Sequence, residues 1–240
     1  FQTSTDSEVV ARLIALSPGR DWLGRVVSAM RRLVGAYSLT LLTTDSMLAV
    51  RDPNGIRPLC LGYIGPNPVV ASESCALDHI GARFERDIEP GEVVSFRAGE
   101  QRSISLREGH RRAFCVFEHI YLARPDSVIE GQLIYGARQR MGAQLCREYP
   151  VDTDLVLGVP DSAIPAAIGY ADASGIPYCE GLLKNRYIGR TFIAPDQHLR
   201  DLGVQLKFNP LSSAIEGKRL VVLDDSIVRG TTTPHVVTLL

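Results

Sequence analysis

The segment from Leu220 to Thr232 constrains the fold of this chain more than any other. Its first four residues are apolar, and they are followed by two adjacent acids, Asp224 and Asp225, and by a loop with glycine and hydroxyl residues before a helix. In open α/β sheets ligands bind at the carboxyl ends of strands, and the first turn of a helix offers N–H groups to a phosphate. Adjacent carboxylates can accept hydrogen bonds from sugar hydroxyls and can hold Mg²⁺ through its waters. The segment therefore predicts a site for phosphate, ribose and Mg²⁺, with a solvated turn as the alternative.

The residues before this segment alternate between helical and strand patterns. Apolar spacing predicts helices at about Ile134 to Arg147 and Ile164 to Ala173, and strands at Leu155 to Val159 and Leu220 to Leu223. This alternation is typical of a parallel sheet with helical connections. We therefore expect an α/β domain with a parallel sheet in the second half of the chain.

The first half of the chain has a different pattern. The capping-box spacing from Thr5 to Glu8 predicts a helix that begins near Asp6, and a second helical pattern runs from Asp21 to Gly35. From Tyr37 to Phe96 short apolar runs alternate with turn residues, which favours an antiparallel sheet. The change of pattern puts a domain boundary between residues 112 and 130, and we divide the chain into domains 1–118 and 119–240.

The composition favours a small-molecule site over a large charged partner. The 26 basic and 27 acidic residues nearly balance, which argues against a nucleic-acid or membrane-surface protein. No apolar run is long enough to cross a bilayer, and the five scattered cysteines favour a reducing compartment, so we expect a cytoplasmic location. Phe1 is not an initiator methionine and the last helical pattern has no cap, so we also expect a fragment that lacks both termini.

The motif Asp224–Thr232 resembles the site for phosphoribosyl pyrophosphate (PRPP) in type I phosphoribosyltransferases, and in its full form it is similar to that of amidophosphoribosyltransferases. Four other segments resemble the same family in order: Arg51–Leu59, Ala71–Asp78, Phe117–Ser127 and Lys184–Ile193. The resemblance implies the C-terminal part of a class II glutamine amidotransferase domain, with an N-terminal-nucleophile αββα fold, over residues 1–118. It implies a type I phosphoribosyltransferase α/β domain, truncated after the PRPP motif, over residues 119–240.

The resemblance also implies roles for individual residues. The PRPP-binding residues would be Asp224, Asp225, Ser226, Ile227, Val228, Arg229, Gly230, Thr231 and Thr232. The pyrophosphate loop would contain Pro160, Asp161 and Ser162, and the Mg²⁺ would lie near Ser162, Asp224 and Asp225. The alternative is that these residues form an ordinary loop after a strand, with no role in binding.

The long basic stretch from Lys184 to Asn209 predicts a loop that closes over the substrate and excludes water. The resemblance places Lys184, Arg186 and Tyr187 in this lid. A solvated basic face is the alternative.

On the glutaminase side, the resemblance implies that Asp6 binds the α-ammonium group of glutamine; a favourable charge at a helix start is the alternative. The nucleophilic cysteine, the arginine and the oxyanion-hole residues of the family belong upstream of Asp6. We therefore expect no glutamine hydrolysis by this chain alone. Cys115 is at the position of one iron–sulfur ligand in some members, so it is either a ligand of a [4Fe-4S] cluster or a buried structural cysteine. We expect the other four cysteines to be core residues.

The expected activity of the intact protein is glutamine-dependent transfer: PRPP, glutamine and water give 5-phosphoribosylamine, pyrophosphate and glutamate, the first step of purine synthesis, with Mg²⁺ as cofactor. Expected partners are glutamine, PRPP, purine nucleotides as feedback inhibitors, and further copies of the chain in a homo-oligomer. Two alternatives are a salvage phosphoribosyltransferase and a PRPP-binding regulator without catalysis. The β-rich first half has no purpose in the former, and no winged-helix segment supports the latter.

Overall fold

The computed structural model describes residues 2–106, 109, 111–185, 208–227, 230 and 232–240. The chain forms two compact units. The first unit runs to Glu118 and includes Ser127–Gly131, and the second contains His119–Asp126 and the chain from Gln132 onward. None of the helices in the described part combines the length and the apolar composition needed to span a membrane.

The described part of the first unit contains three α-helices and two antiparallel sheets. The helices are α1 (Asp6–Leu16), α2 (Trp22–Met30) and α3 (Ser74–His79). The strands are β1 (Ser38–Leu42), β2 (Ser46–Arg51), β3 (Cys60–Ile64), β4 (Asn67–Ala71), β5 (Arg83–Asp87), β6 (Glu92–Arg97), β7 (Glu100–Ser105) and β8 (Val128–Ile129). One sheet has the order β1-β2-β6-β7 and the other β4-β3-β5. The antiparallel pairing confirms the prediction from the turn-rich sequence.

The central strands of the larger sheet are buried on both faces. Leu48 and Val50 of β2 pack in a cluster with Val26 of α2, whereas Ala49 between them packs with Leu61 of β3. Successive side chains of a strand point to opposite faces, so one short strand contributes to two apolar clusters. The first unit therefore has a helical layer on one face of its larger sheet and the smaller sheet on the other.

Helix α2 is shorter than its sequence pattern predicts. Asp21 caps its start by accepting a hydrogen bond from the amide of Gly24 at 2.8 Å. The helix ends at Met30, and the amides of Arg32 and Leu33 turn back to the carbonyl of Ala29. The predicted end at Gly35 was wrong because these turns replace the last helical turn, while the positive φ of 111° at Gly35 reverses the chain only afterwards.

The second unit contains four α-helices, most of a short π-helix (Glu118–Leu122) and five strands in its described part. The helices are α4 (Ile134–Glu148), α5 (Ile164–Ser174), α6 (Ser212–Ile215) and α7 (Thr232–Leu239). The strands are β9 (Gln132–Leu133), β10 (Leu155–Gly158), β11 (Leu182–Lys184), β12 (Phe208–Pro210) and β13 (Leu220–Leu223). Strands β10 and β13 pair in parallel, which confirms the predicted parallel arrangement, and β11 and β12 pair antiparallel.

Two glycines allow α4 and α5 to pack closely. A Cβ atom at Gly142 of α4 would overlap the carbonyl of Ala166, and one at Gly169 of α5 would overlap the carbonyl of Gln139. Behind this contact, Ala167 and Tyr170 of α5 join a buried cluster with Val156 of β10. The glycines thus place α5 against the strand from which the predicted site begins.

Candidate functional site

The predicted phosphate site forms where β10 and β13 end. The two strands are in register, with Gly158 opposite Leu223, and the amide of Val159 donates to the carbonyl of Leu223 at 2.8 Å. The loops that follow the strands therefore begin at the same level of the sheet. The predicted pyrophosphate loop, 160–162, and the predicted ribose and metal residues, 224–226, thus follow neighbouring strand ends.

The paired acids are ordered by short local hydrogen bonds. The amide of Asp225 donates to Oδ1 of Asp224 at 2.9 Å, and the hydroxyl of Ser226 donates to Oδ1 of Asp225 at 2.7 Å. Asp224 is exposed, whereas Asp225 and Ser226 are half-buried. Leu223, directly before them, is buried in the core of the second unit. The loop thus presents carboxylate oxygens, a donor type suited to Mg²⁺ or to sugar hydroxyls.

The rest of the motif leads into α7. Ile227 is exposed, and Gly230 has a φ of 67°, a left-handed conformation that favours glycine. Thr232 is the first residue of α7, and Val236 anchors this helix in the core. Val228, Arg229 and Thr231 were also predicted to bind PRPP, but they lie outside the described residues.

The predicted pyrophosphate loop connects β10 to α5. Its peptide bond between Pro160 and Asp161 is cis, and Ser162 is half-buried. Asp161 is exposed and forms an ion pair with Lys184, whose Nζ lies 2.6 Å from Oδ2 of the carboxylate. The structure thus brings a predicted lid residue and a predicted loop residue into direct contact.

An open cleft of ≈ 840 Å³ lies at this edge of the second unit. Its volume is in the range of small-molecule sites. It is lined by Gly158, Pro160, Asp161, Ile164, Tyr178, Glu180, Leu182, Leu183, Lys184 and Asn185.

Tyr178 and Glu180 were not predicted as site residues. Tyr178 reaches the cleft because it forms a parallel bridge with Val156 of β10. Burial raises the pKa of the Tyr178 hydroxyl, and the neighbouring Glu180 adds to this effect. No motif in the sequence marks either residue, so only the strand pairing reveals them.

The ends of the predicted lid are strands. Lys184 ends β11 and Asn209 lies within β12, and the two strands pair so that Lys184 is opposite Phe208. The prediction of a loop from Lys184 to Asn209 was therefore wrong at both ends, because buried Leu182 and Phe208 draw these residues into the core. Arg186 and Tyr187, the other predicted lid residues, lie outside the described residues.

In the first unit, Asp6 is the exposed first residue of α1. The predicted helix start is confirmed, but the predicted capping box does not form as expected, since the Thr5 side chain makes no cap bond. The carboxylate of Glu8 instead accepts hydrogen bonds from the amides of Gln2 and Thr3, at 2.8 to 3.0 Å. These amides lower the pKa of Glu8 to about 2. These amides take the place of the Thr5 amide, which is the partner expected in a capping box, because the chain before Thr5 folds back over the helix start.

Cys115 is half-buried, and its amide donates to the carbonyl of Ile56 at 3.0 Å. Within the described residues, no three His, Cys, Asp or Glu side chains are grouped to hold a metal ion. Among the other cysteines, Cys60, Cys75 and Cys146 are buried as predicted, whereas Cys179 is only half-buried because it lies on the strand-like stretch beside the cleft.

Comparison with known proteins gives consistent relatives. Residues 1–79 match the family model described as a glutamine amidotransferase domain. The chain is 51% identical to an amidophosphoribosyltransferase of Synechocystis over 242 residues, covering 99% of this chain and 49% of that protein. A Bacillus subtilis amidophosphoribosyltransferase is 47% identical over 240 residues, covering 100% and 50%.

A solved structure of the B. subtilis glutamine PRPP amidotransferase, complexed with ADP and GMP, has a TM-score of 0.91 at 47% identity. The match covers 100% of this chain and 52% of that one. A structure described as the allosteric regulatory enzyme of purine biosynthesis also has a TM-score of 0.91. The chain therefore spans about half the length of the relatives that it matches.

Proposed function

We propose that the second unit binds PRPP and contributes to phosphoribosyl transfer to ammonia, since this chain belongs to the amidophosphoribosyltransferase family along its whole length. In this reaction the lone pair of ammonia forms a bond to C1 of the ribose. The bond from C1 to the pyrophosphate oxygen breaks, and the new amine loses a proton to water. The products are 5-phosphoribosylamine and pyrophosphate.

The observation that carries the proposal is the parallel, in-register pairing of β10 and β13. The loop with Pro160, Asp161 and Ser162 and the loop with Asp224 and Asp225 therefore start at neighbouring strand ends. In our assignment the two aspartates accept hydrogen bonds from the ribose hydroxyls, and the loop at 160–162 receives the pyrophosphate. The backbone amides from Ser226 to the start of α7 hold the 5′-phosphate, since amides near a helix start favour an anion.

The residues at this edge fit a magnesium ion that arrives with the substrate. Mg²⁺ is usually bound by one or two carboxylates, several waters and substrate phosphates. Asp224 and Asp225 supply adjacent carboxylates, and Ser162 supplies a hydroxyl at the other strand end. When bound, Mg²⁺ would neutralise charge on the leaving pyrophosphate. The protein's own contribution is to orient C1 and to limit access of water.

We further propose that the first unit is part of a class II glutamine amidotransferase domain with the N-terminal-nucleophile αββα fold. Its two sheets with a helical layer on the outer face of the larger one are consistent with three of the four layers. In this assignment Asp6 at the start of α1 holds the α-ammonium group of glutamine. The ammonia released from glutamine then becomes the nucleophile for PRPP.

The cofactor and partner assignments differ in their support. The described residues around Cys115 do not by themselves form a cluster site, so we derive no step through an iron–sulfur cluster, and the ligand role of Cys115 stays a prediction. A related structure contains ADP and GMP, which supports purine nucleotides as regulators of the intact protein. A homo-oligomer and a cytoplasmic location stay predictions; the plant relatives are named as chloroplastic.

The test is the double substitution Asp224→Asn and Asp225→Asn in the full-length protein. Charged hydrogen bonds of this kind contribute roughly 1.5–3 kcal/mol each, so kcat/KM for PRPP should fall more than about a hundredfold with either ammonia or glutamine. A matched control is Asp172→Asn with Glu216→Gln, which removes two exposed acids from the same unit. Thermal melts check that both variants fold.

Two results would count against the assignment. If the Asp224 and Asp225 variant keeps kcat/KM within a few-fold of the parent, the paired acids are a solvated turn. If the parent consumes PRPP with a free purine base and not with ammonia, the protein is a salvage phosphoribosyltransferase. Binding of PRPP without turnover of either acceptor would indicate a regulator.

A further inference from the structure

We propose that Asp161 is a positioning residue that holds the ammonium group of Lys184 in the cleft until the pyrophosphate group of the substrate replaces it. The inference rests on the proposed function. It gives the Asp161 carboxylate a role in competition with the substrate, rather than in contact with it.

The ion pair joins two residues 23 positions apart in the chain. Nζ of Lys184 lies 2.6 Å from Oδ2 of Asp161. The Lys184 side chain is only 33% exposed, whereas that of Asp161 is 71% exposed. Both residues line the cleft of the second unit. An incoming anion would meet the same ammonium group.

The core of the second unit sets this geometry. Val159 and Leu182 belong to one buried cluster, which also contains Ala163, Phe208 and Val236. Asp161 follows Val159 by two residues, and Lys184 follows Leu182 by two residues on the same face of β11. The two charged side chains are thus tethered to apolar anchors that pack together. Little further ordering is needed to form the pair.

The chemistry favours exchange of partners. A lysine ammonium is a compact point charge with three donors, and it pairs with carboxylate or phosphate oxygens without a fixed geometry. Pyrophosphate carries more negative charge than one carboxylate, so it can displace Asp161. Displacement has a cost, because the existing ion pair is lost. For a solvent-exposed pair this cost corresponds to an affinity change of up to about fivefold.

The experiment compares Asp161→Asn with the parent in the full-length protein. We expect PRPP to show a KM up to about fivefold lower, and inorganic pyrophosphate with Mg²⁺ to bind tighter by a similar factor in calorimetry. The kcat with ammonia should not rise, because at saturating PRPP the lysine already lies on the pyrophosphate in the parent as well. Glu180→Gln is the matched control: it removes an exposed acid from the same cleft, and its gain in affinity should be smaller.

The same substitutions in a Lys184→Ala protein separate the effect of the ion pair from a general effect of removing negative charge. When Lys184→Ala is present, Asp161→Asn should change pyrophosphate affinity no more than Glu180→Gln does. Equal effects of Asp161→Asn and Glu180→Gln in the parent would overturn the proposal, and so would weaker binding in Asp161→Asn, which would mark Asp161 as a ligand of substrate or metal. The proposed function is tested separately, by kcat/KM for PRPP in the Asp224→Asn and Asp225→Asn double variant.

Discussion

The amide of Val159 donates to the carbonyl oxygen of Leu223 at 2.8 Å, which extends the parallel ladder by one bond beyond the last paired residues. Val159 is also buried beside Val236 of the helix that follows the paired acids. This one residue therefore links the predicted pyrophosphate loop, the end of β13 and α7. A ligand that bridges the two loops would bind to a preformed edge.

The close packing of α4 on α5 predicts a large effect of added methyl groups. Gly142→Ala and Gly169→Ala each put a Cβ atom into a backbone carbonyl of the facing helix. Each should lower the free energy of unfolding by about 1–3 kcal/mol, the usual cost of overpacking, as measured by urea denaturation. Gly136→Ala in the same helix α4 is the control. Its Cβ atom would meet only the flexible end of Arg140 at 3.5 Å, so it should stabilise by up to about 1 kcal/mol. Equal effects at all three positions would contradict the close helix contact.

The pH dependence of stability should reveal the buried carboxyl group of Glu118. Burial raises its pKa above the ordinary 4.5, the nearby Arg57, with Nε 2.8 Å from Oε1, lowers it, and Glu73 adds a smaller increase. The folded protein thus binds this proton more tightly than the unfolded chain does. The stability that it contributes is present below pH 4.5 and is lost as the pH rises through the raised folded pKa. The parent should therefore lose stability relative to Glu118→Gln as the pH rises above 4.5.

Glu92, in the same unit, should give a pH dependence of stability that is opposite in sign to that of Glu118. Burial tends to raise its pKa, but hydrogen bonds from Arg86, Ser103 and the amide of Glu89 outweigh burial and lower it. Its contribution is present above the unfolded value of 4.5 and is lost as the pH falls through the lowered folded pKa. The parent should therefore gain stability relative to Glu92→Gln as the pH rises. If both variants change with the same sign in denaturant titrations, the assignment of Glu118 is wrong.

The proposed role of Asp6 predicts a difference between nitrogen donors. In the full-length protein, Asp6→Ala should reduce glutamine-dependent activity more than ammonia-dependent activity, because Asp6 is assigned to glutamine alone. Loss of one charged hydrogen bond corresponds to roughly 10- to 100-fold in kcat/KM for glutamine. Asp78→Ala, another exposed acid in the same unit, should leave the ratio of the two activities unchanged. Equal losses with glutamine and ammonia would show that Asp6 only supports the helix start.

The sequence by itself determined the local elements of this protein. Apolar runs and helical spacing predicted α4, α5 and β13 within a residue or two, because periodicity reports directly which side chains are buried. The strand, paired acids and glycine loop from Leu220 onward also predicted a chemistry for the candidate site, since carboxylates and helix-start amides suit few ligands besides sugars, phosphates and hard cations.

Only the tertiary structure decided which distant residues meet. The register of β10 against β13, the strand pair that frames the segment after Lys184, and the bridge that brings Tyr178 to the cleft all join residues far apart in the chain. The ion pair of Lys184 with Asp161 follows from these pairings, as does the contact of Gly142 with α5. A local pattern states that a side chain is buried, but the partner that buries it depends on the packing of the whole unit.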